Sequence, residues 1–292
     1  MTLKEYLNKA KEEHWAVGHF NFSTADQLRA FVEAAAEAKA PLMVATSEGE
    51  ADFFGMDQAV ALVRSYQAEG HVVWLNADHF KSFEKCKAAI DAGYDSILID
   101  ASKLPYEENV ALTKQVVEYA RSVNPEILVE GELGYLRGSS EVQQKVAITP
   151  ADYTQPNLAF SFVNSTKVDR LAVVFGNIHG IVTEQKERLD IEHFKHIVRA
   201  VSDPGLGPFP KVSLVLHGAS GLKAEDVQAA IADLDELYKS CPSDKKLVDC
   251  AEITSELTVK NMNDINTKVT TQGYKPPVKS GVSGNSKFPD ED

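Results

Sequence analysis

Short apolar runs alternate along this chain with longer stretches in which apolar positions return every three or four residues. The first pattern marks buried strands and the second amphipathic helices. The clearest instance runs from His71 to Ser102. Val72-Val73-Trp74-Leu75 reads as a strand covered on both faces, running into Asn76-Ala77-Asp78-His79 at its C-terminal end. Ser82 then caps a helix that gathers Phe83, Cys86 and Ile90 on one face and stops at Gly93. A second strand, Ser96 to Ile99, ends in Asp100. Strand, helix, strand implies a parallel βαβ unit, and such units gather ligands at the carboxyl ends of their strands.

The same alternation spans most of the chain. Ala16 to Asn21 reads as strand one, and Ser23 caps the next helix, with Asp26 completing a capping-box variant. Leu42 to Thr46 is strand two, Met56 to Glu69 a helix, and the unit above supplies strands three and four. Pro105 opens a long helix where its missing N–H does no harm. Ile127 to Glu132 is strand five, with Glu130 and Glu132 on one face. The polar stretch Gly134 to Ile148 is long for a connection and reads as a functional loop or lid. Thr149-Pro150-Ala151-Asp152 restarts a helix, Leu171 to Phe175 is strand six, and Asp190 to Val201 is helical. After a turn at Gly205 to Pro210 come strand seven (Val212 to Leu216), a helix (Ala224 to Lys239), strand eight (Leu247 to Ile253) and a last helix near Ser255 to Val269. From Gly273 the chain is rich in Pro, Gly, Ser and Lys and reads as a flexible tail. The expected fold is α/β: a single-domain (β/α)8 TIM barrel over residues 1–272, with a tail over 273–292.

Composition narrows the class. At 292 residues and 43% hydrophobic content, one large core can be formed. A net charge of −13 without a basic stripe speaks against a nucleic-acid partner. No apolar run approaches the ~20 residues of a membrane span, and Met1 to His14 reads as an amphipathic helix without a signal-peptide core. Cys86, Cys241 and Cys250 are odd in number and lack CxxC spacing, as expected of reduced thiols. A cytoplasmic protein acting on small molecules is the expectation.

His79, His179 and His217 each follow one of these strands, the third, sixth and seventh. In a closed barrel those ends converge on one mouth, and three imidazoles with one open position make a catalytic zinc site. Taken singly, each could be an ordinary loop histidine, the role that suits His14, His71, His193 and His196. Asp78 next to His79 could act as acid or base, or orient an imidazole. Asp100 and Glu132 end strands four and five and could hold a second divalent or monovalent cation, or form rim salt bridges. The turns Asn177-Ile178-His179-Gly180 and His217-Gly218-Ala219-Ser220-Gly221 bring glycines to the same rim, where backbone N–H groups can approach a phosphate. Metal beside phosphate suggests a small phosphorylated carbonyl compound.

From Gly18 to about Leu257 the chain resembles the class II (metal-dependent) fructose-bisphosphate aldolases. The resemblance rests on Asp78-His79, Ile99-Asp100-Ala101-Ser102, Glu130-Gly131-Glu132-Leu133-Gly134, Phe175-Gly176-Asn177-Ile178-His179-Gly180 and Leu216-His217-Gly218-Ala219-Ser220-Gly221. It implies that His79, His179 and His217 bind catalytic Zn2+ and that Asp78 serves the aldehyde-derived hydroxyl. It also implies a second cation at Asp100 and Glu132, and substrate contacts from Ser47, Gly180 and Gly218 to Ser220. The C–H proton falls to an acid on the loop after strand five, where Glu141 stands alone. The implied reaction is reversible cleavage of fructose 1,6-bisphosphate in a homodimer or larger homo-oligomer.

The chain departs from the family pattern in places. Gly138-Ser139-Ser140-Glu141 replaces a Gly-Gly-acid loop, and Thr183 stands where a lysine is common. Glu252-Ile253-Thr254-Ser255 is the best match to an Asn-Ile-x-Thr turn that grips phosphate, with Glu252 in place of asparagine. Tagatose bisphosphate is therefore a competing substrate, and a catalytically altered sugar-phosphate-binding relative a competing role. A Schiff-base aldolase using Lys81 or Lys103 is the chemical alternative.

Overall fold

The computed structural model describes residues 1–12, 15, 17–185, 188–202, 212–218 and 222. The turn at Gly205 to Pro210, the helices near 224–239 and 255–269, strand eight and the tail lie outside the described residues.

In chain order the elements are α1 (Leu3–Glu12), β1 (Gly18–Asn21), α2 (Ala25–Ala38), β2 (Leu42–Ser47), α3 (Glu48–Phe54), α4 (Met56–Ala68), β3 (Val73–Phe80), α5 (Phe83–Ala92), β4 (Ser96–Ile99), α6 (Tyr106–Val123), β5 (Leu128–Leu133), β6 (Gly138–Gln143), α7 (Pro156–Thr166), β7 (Arg170–Val173), β8 (His179–Val182), α8 (Ile191–Ser202) and β9 (Ser213–Val215). Seven of the strands form one sheet, β1-β2-β3-β4-β5-β7-β9, and every pairing in it is parallel. The connecting helices cover one face, so strands such as β4 and β7 are buried throughout and read as near-continuous apolar runs. The sheet is curled: His217, beyond the seventh strand, lies 3.1 Å from His79 in the third.

Alternation along the strands separates two chemistries. Outward positions (Leu42 and Val44, Val73 and Leu75, Ile97 and Ile99, Leu171 and Val173) join Leu28, Phe31, Val116, Phe162 and Phe194 of the helices in the main core. Inward positions are layered. At the N-terminal ends, Met43, Trp74 and Leu128 pack with Leu3 and Leu7 of α1, which covers that end of the sheet. Above them the same inward rows turn polar: Asn76 and Asp78 after Trp74, and Glu130 and Glu132 after Leu128.

Several local expectations hold. Ser82 accepts from Lys85 N, and α5 ends at Gly93 with φ 102°. Others are corrected. The helix after β1 is capped by Thr24, whose side chain accepts from Gln27 N, because the Ser23 hydroxyl instead donates to Glu50. The sequence Ser47-Glu48-Gly49-Glu50 opens a helix directly, through a capping box between Ser47 and Glu50. Thr149 begins only a 3-10 turn, Pro150–Asp152, and the helix starts at Pro156. The polar stretch after β5 contains β6, which pairs in parallel with β8 as a separate two-stranded ribbon.

The largest correction concerns β3. It does not end at Leu75 but continues through Asp78 and His79 to Phe80, with its register to β4 slipping between Ala77 and Phe80. At that bulge His79 has φ 50°, a left-handed conformation that costs a side-chain-bearing residue about 1–2 kcal/mol. Strict alternation would send Asp78 and His79 to opposite faces. With the extra residue both reach the inner face, and Phe80 returns to the helix-covered core.

Candidate active site

His79 is the hub. Its Nδ1 lies 3.1 Å from Asp100 Oδ2 and 3.2 Å from Glu132 Oε2, and its Nε2 lies 3.1 Å from His217 Nδ1. On its far side, His217 Nε2 is 2.9 Å from Glu130 Oε1. The His179 ring stacks on His79, with centroids 5.4 Å apart, and the His217 ring meets it edge-on at 4.7 Å. Asp78 reaches the same space: one carboxylate oxygen accepts from Asn21 Nδ2 at 2.9 Å, and the other is 4.0 Å from His79 Nε2. That second oxygen, Oδ1, is buried with no hydrogen-bond partner among the described residues.

Each ligand candidate is held by its backbone. His179 N donates to Arg137 O at 2.8 Å, and Gln143 Nε2 donates to His179 O at 2.9 Å, so the ribbon between β6 and β8 fixes it. Asn177 Nδ2 donates to His217 O at 2.9 Å. Gly218 has φ 75°, and a Cβ there would meet Ile178 O at 2.0 Å, so only glycine lets the His217 turn approach the His179 strand.

The charges reinforce one another. Burial alone would raise the Asp78 pKa, but the charge on His79 first, then the pull of the neighbouring His19 and His217 rings and the Asn21 hydrogen bond, hold it well below the usual carboxylate range. Burial would lower His79, yet the Asp78 charge and the hydrogen bonds that His79 donates to Asp100 and Glu132 keep it well above a free imidazole. His217 is likewise raised against its burial by the Glu130 hydrogen bond. His179 is lowered, by burial and then by repulsion from His79.

These features point one way, and comparison with known proteins agrees. The family model of class-II fructose-bisphosphate aldolase matches residues 1–233. The fructose-bisphosphate aldolase of Staphylococcus aureus is 36% identical over 235 residues, covering 79% of this chain and 77% of that protein. That of Geobacillus stearothermophilus is 36% identical over 236 residues, 80% and 77% of the two chains. The chain belongs to the class II fructose-bisphosphate aldolase family. A solved structure, the YdjI aldolase of Escherichia coli K12, superposes with a TM-score of 0.66 at 28% identity, covering 90% of this chain and 95% of that one. As a member of this family the protein is an aldolase, a carbon–carbon lyase.

The class II aldolase family is metal-dependent as a rule, and the donors here fit an ion. An ionised Glu130 can only accept, so His217 Nε2 carries the hydrogen between them and Nδ1 presents a lone pair. Asp100 and Glu132 likewise claim the Nδ1–H of His79. His217 Nδ1 and His79 Nε2 face each other at 3.1 Å across a single hydrogen bond, a spacing close to the ~3.3 Å between nitrogens sharing a tetrahedral ion with ~2.0–2.1 Å bonds. Asp78, His79 and His217 each offer a ligand atom within 4.8 Å of the others, as do His79, Asp100 and Glu132; His179 joins neither group among the described residues.

Some contributors were not read from the pattern. Asn21 and His19 share the inner face of β1, and His19 Nε2 lies 3.1 Å from Asn76 Nδ2. Glu50 accepts from Ser47 N (2.7 Å), Asn21 Nδ2 (3.2 Å) and Ser23 Oγ (3.0 Å), which ties the ends of β1 and β2 together. Arg170 is buried inside the sheet against Glu130. The polar residues at alternating positions in otherwise apolar strands were the available signal. Ser47 lies in the Glu50 capping box and Gly180 in β8. Glu141 lies on β6. Ala219, Ser220 and Glu252 to Ser255 lie outside the described residues. Lys81 and Lys103 are both exposed, so neither has the desolvated surroundings that activate a Schiff-base lysine.

Proposed function

We propose that this chain is a zinc-dependent aldolase that reversibly cleaves fructose 1,6-bisphosphate to dihydroxyacetone phosphate and glyceraldehyde 3-phosphate. The observation that carries the reading is the pair of imidazole nitrogens facing each other at 3.1 Å, each ring backed by a carboxylate, with Asp78 beside them. The named activity of the bacterial relatives supports the substrate.

In this reading His79, His179 and His217 hold the zinc, which when bound supplies a Lewis acid for the substrate carbonyl. Asp100 and Glu132 orient His79 and offer a second cation position. Asp78, kept ionised and steered by Asn21, takes the proton from the hydroxyl of the aldehyde half as the C–C bond breaks. Glu141 serves the C–H proton of the other half. Ser47, Gly180, Gly218, Ala219 and Ser220, with Glu252 to Ser255, contact the phosphorylated substrate. We place this site in a closed (β/α)8 barrel of residues 1–272, followed by a flexible tail, in a cytoplasmic homodimer or larger oligomer. No helix among the described residues is long and apolar enough to cross a membrane.

Metal analysis of the purified protein, coupled to cleavage assays with fructose and tagatose 1,6-bisphosphates, tests this. Stoichiometric zinc with chelator-sensitive cleavage of the fructose ester is expected. Preference for the tagatose ester would reassign the substrate. Bound zinc without cleavage of either would leave a sugar-phosphate-binding relative, and full cleavage after complete metal removal would overturn the mechanism.

A further inference from the structure

We infer that Arg170 and Glu130 are a buried positioning pair that aims His217 at the metal, with Arg170 acting only through Glu130. The inference rests on the metal-site reading above. Glu130 on β5 and Arg170 on β7 are register partners, and their inward side chains form an ion pair of 2.7 Å (Nη2 to Oε2) at 1% and 2% exposure. Arg170 Nη1 also donates to Ser96 Oγ on β4 at 2.8 Å. The other Glu130 oxygen faces His217 Nε2 at 2.9 Å. One line of contacts therefore runs from β4 through β7 and β5 to the turn after β9.

The fold has no need of this pair for packing. Two buried ions carry a desolvation penalty that their attraction repays only in part, and apolar side chains commonly replace such pairs without loss of stability. The layer just below is closed with Met43, Trp74 and Leu128. What apolar residues could not supply is a fixed anion behind His217. An imidazole has a free ring rotation and a choice of tautomer, and one carboxylate accepting from Nε2–H settles both. Asn177 holds only the His217 backbone. His79, by contrast, has two carboxylates on its Nδ1 side. Among the described residues His217 has one behind its Nε2, and that one keeps its direction because the Arg170 fork, anchored on Ser96, grips its other oxygen.

The test uses the full chain, zinc alone as probe, and competition with a chromophoric chelator to measure dissociation constants, with thermal unfolding recorded in parallel. Glu130→Gln and Arg170→Met should each weaken zinc binding by roughly 10- to 100-fold. The double variant should be no weaker than the weaker single one, because both changes cut the same line. Losses that multiply in the double variant would show Arg170 acting independently and overturn the inference. Wild-type zinc affinity in both single variants would also overturn it, leaving a purely structural pair. Should either fail to fold, Ser96→Ala and Arg170→Lys keep the charges and loosen only the grip. A several-fold loss of affinity in them is expected, and unchanged affinity in both would refute the inference. Absence of zinc binding by the wild-type chain is a separate result that removes the metal-site reading itself.

Discussion

Gly131 stands between the two inward carboxylates of β5, and replacing it with alanine tests the division of the sheet into two faces. A Cβ there would lie 2.6 Å from Phe162 Cε1, 2.9 Å from Phe162 Cζ and 3.2 Å from Thr113 Cγ2. Comfortable carbon contacts are about 3.5–4.0 Å, so the ring of a fully buried phenylalanine on α7 must give by about 1 Å. The neighbouring α6 is also tied to the strand, since Asn109 Nδ2 donates to Glu132 O at 3.0 Å. Overpacking of this kind costs about 1–3 kcal/mol, and the lost freedom of the unfolded chain returns about 0.4–1 kcal/mol. A net loss of up to about 2.6 kcal/mol follows, centred near about 1.3 kcal/mol, or a fall in Tm of about 3–5 °C at the centre of that range for a domain of this order. Zinc stoichiometry should be unchanged, because Glu130 and Glu132 point the other way. Calorimetry with metal analysis reads both quantities, and adding Phe162→Leu should recover about 1 kcal/mol relative to the sum of the single effects. The reasoning fails if Gly131→Ala melts at or above the wild-type temperature, or if the folded variant loses its zinc.

Three further outcomes are expected. Asp78→Asn should retain zinc while turnover falls roughly 10²-fold or more, and loss of zinc instead would mean that Asp78 serves to orient the metal site. Burial holds His19 down to about 4, against the pull of Asp78, so it is neutral in the fold and takes up a proton more readily in the unfolded chain. Its contribution to stability is present above about 6.5 and lost as pH falls toward 4, by about 1–3 kcal/mol. The unfolding free energy of wild type should thus fall more steeply over that window than that of His19→Gln; parallel curves would sink the idea. Treating the protein with a chelator should lower Tm and abolish cleavage, with both restored by Zn2+, since an ion bound only by the native state stabilises it; a Tm indifferent to metal would argue against the site.

The order of the seven strands in the main sheet, and most of the helices between them, was legible because parallel strands covered on both faces must be apolar runs, and helices packed on one side must repeat every three to four residues. The cap at Ser82 and the stop at Gly93 are local chemistry and could be read locally. His79, His179 and His217 could be chosen because each stands at or near the C-terminal end of an apolar run. Tertiary structure decided what those residues do to one another. The bulge at His79, which turns two consecutive side chains inward, breaks the very alternation on which strand reading depends. The β6–β8 ribbon joins segments that look like loops, because neither has a partner nearby in sequence. His19, Asn21, Glu50 and Arg170 carry no motif, and they matter only because the curl of the sheet brings strands far apart in sequence around one interior. Whether Asp100 and Glu132 are rim groups or supports behind an imidazole depends on distances of about 3 Å that no spacing along the chain encodes.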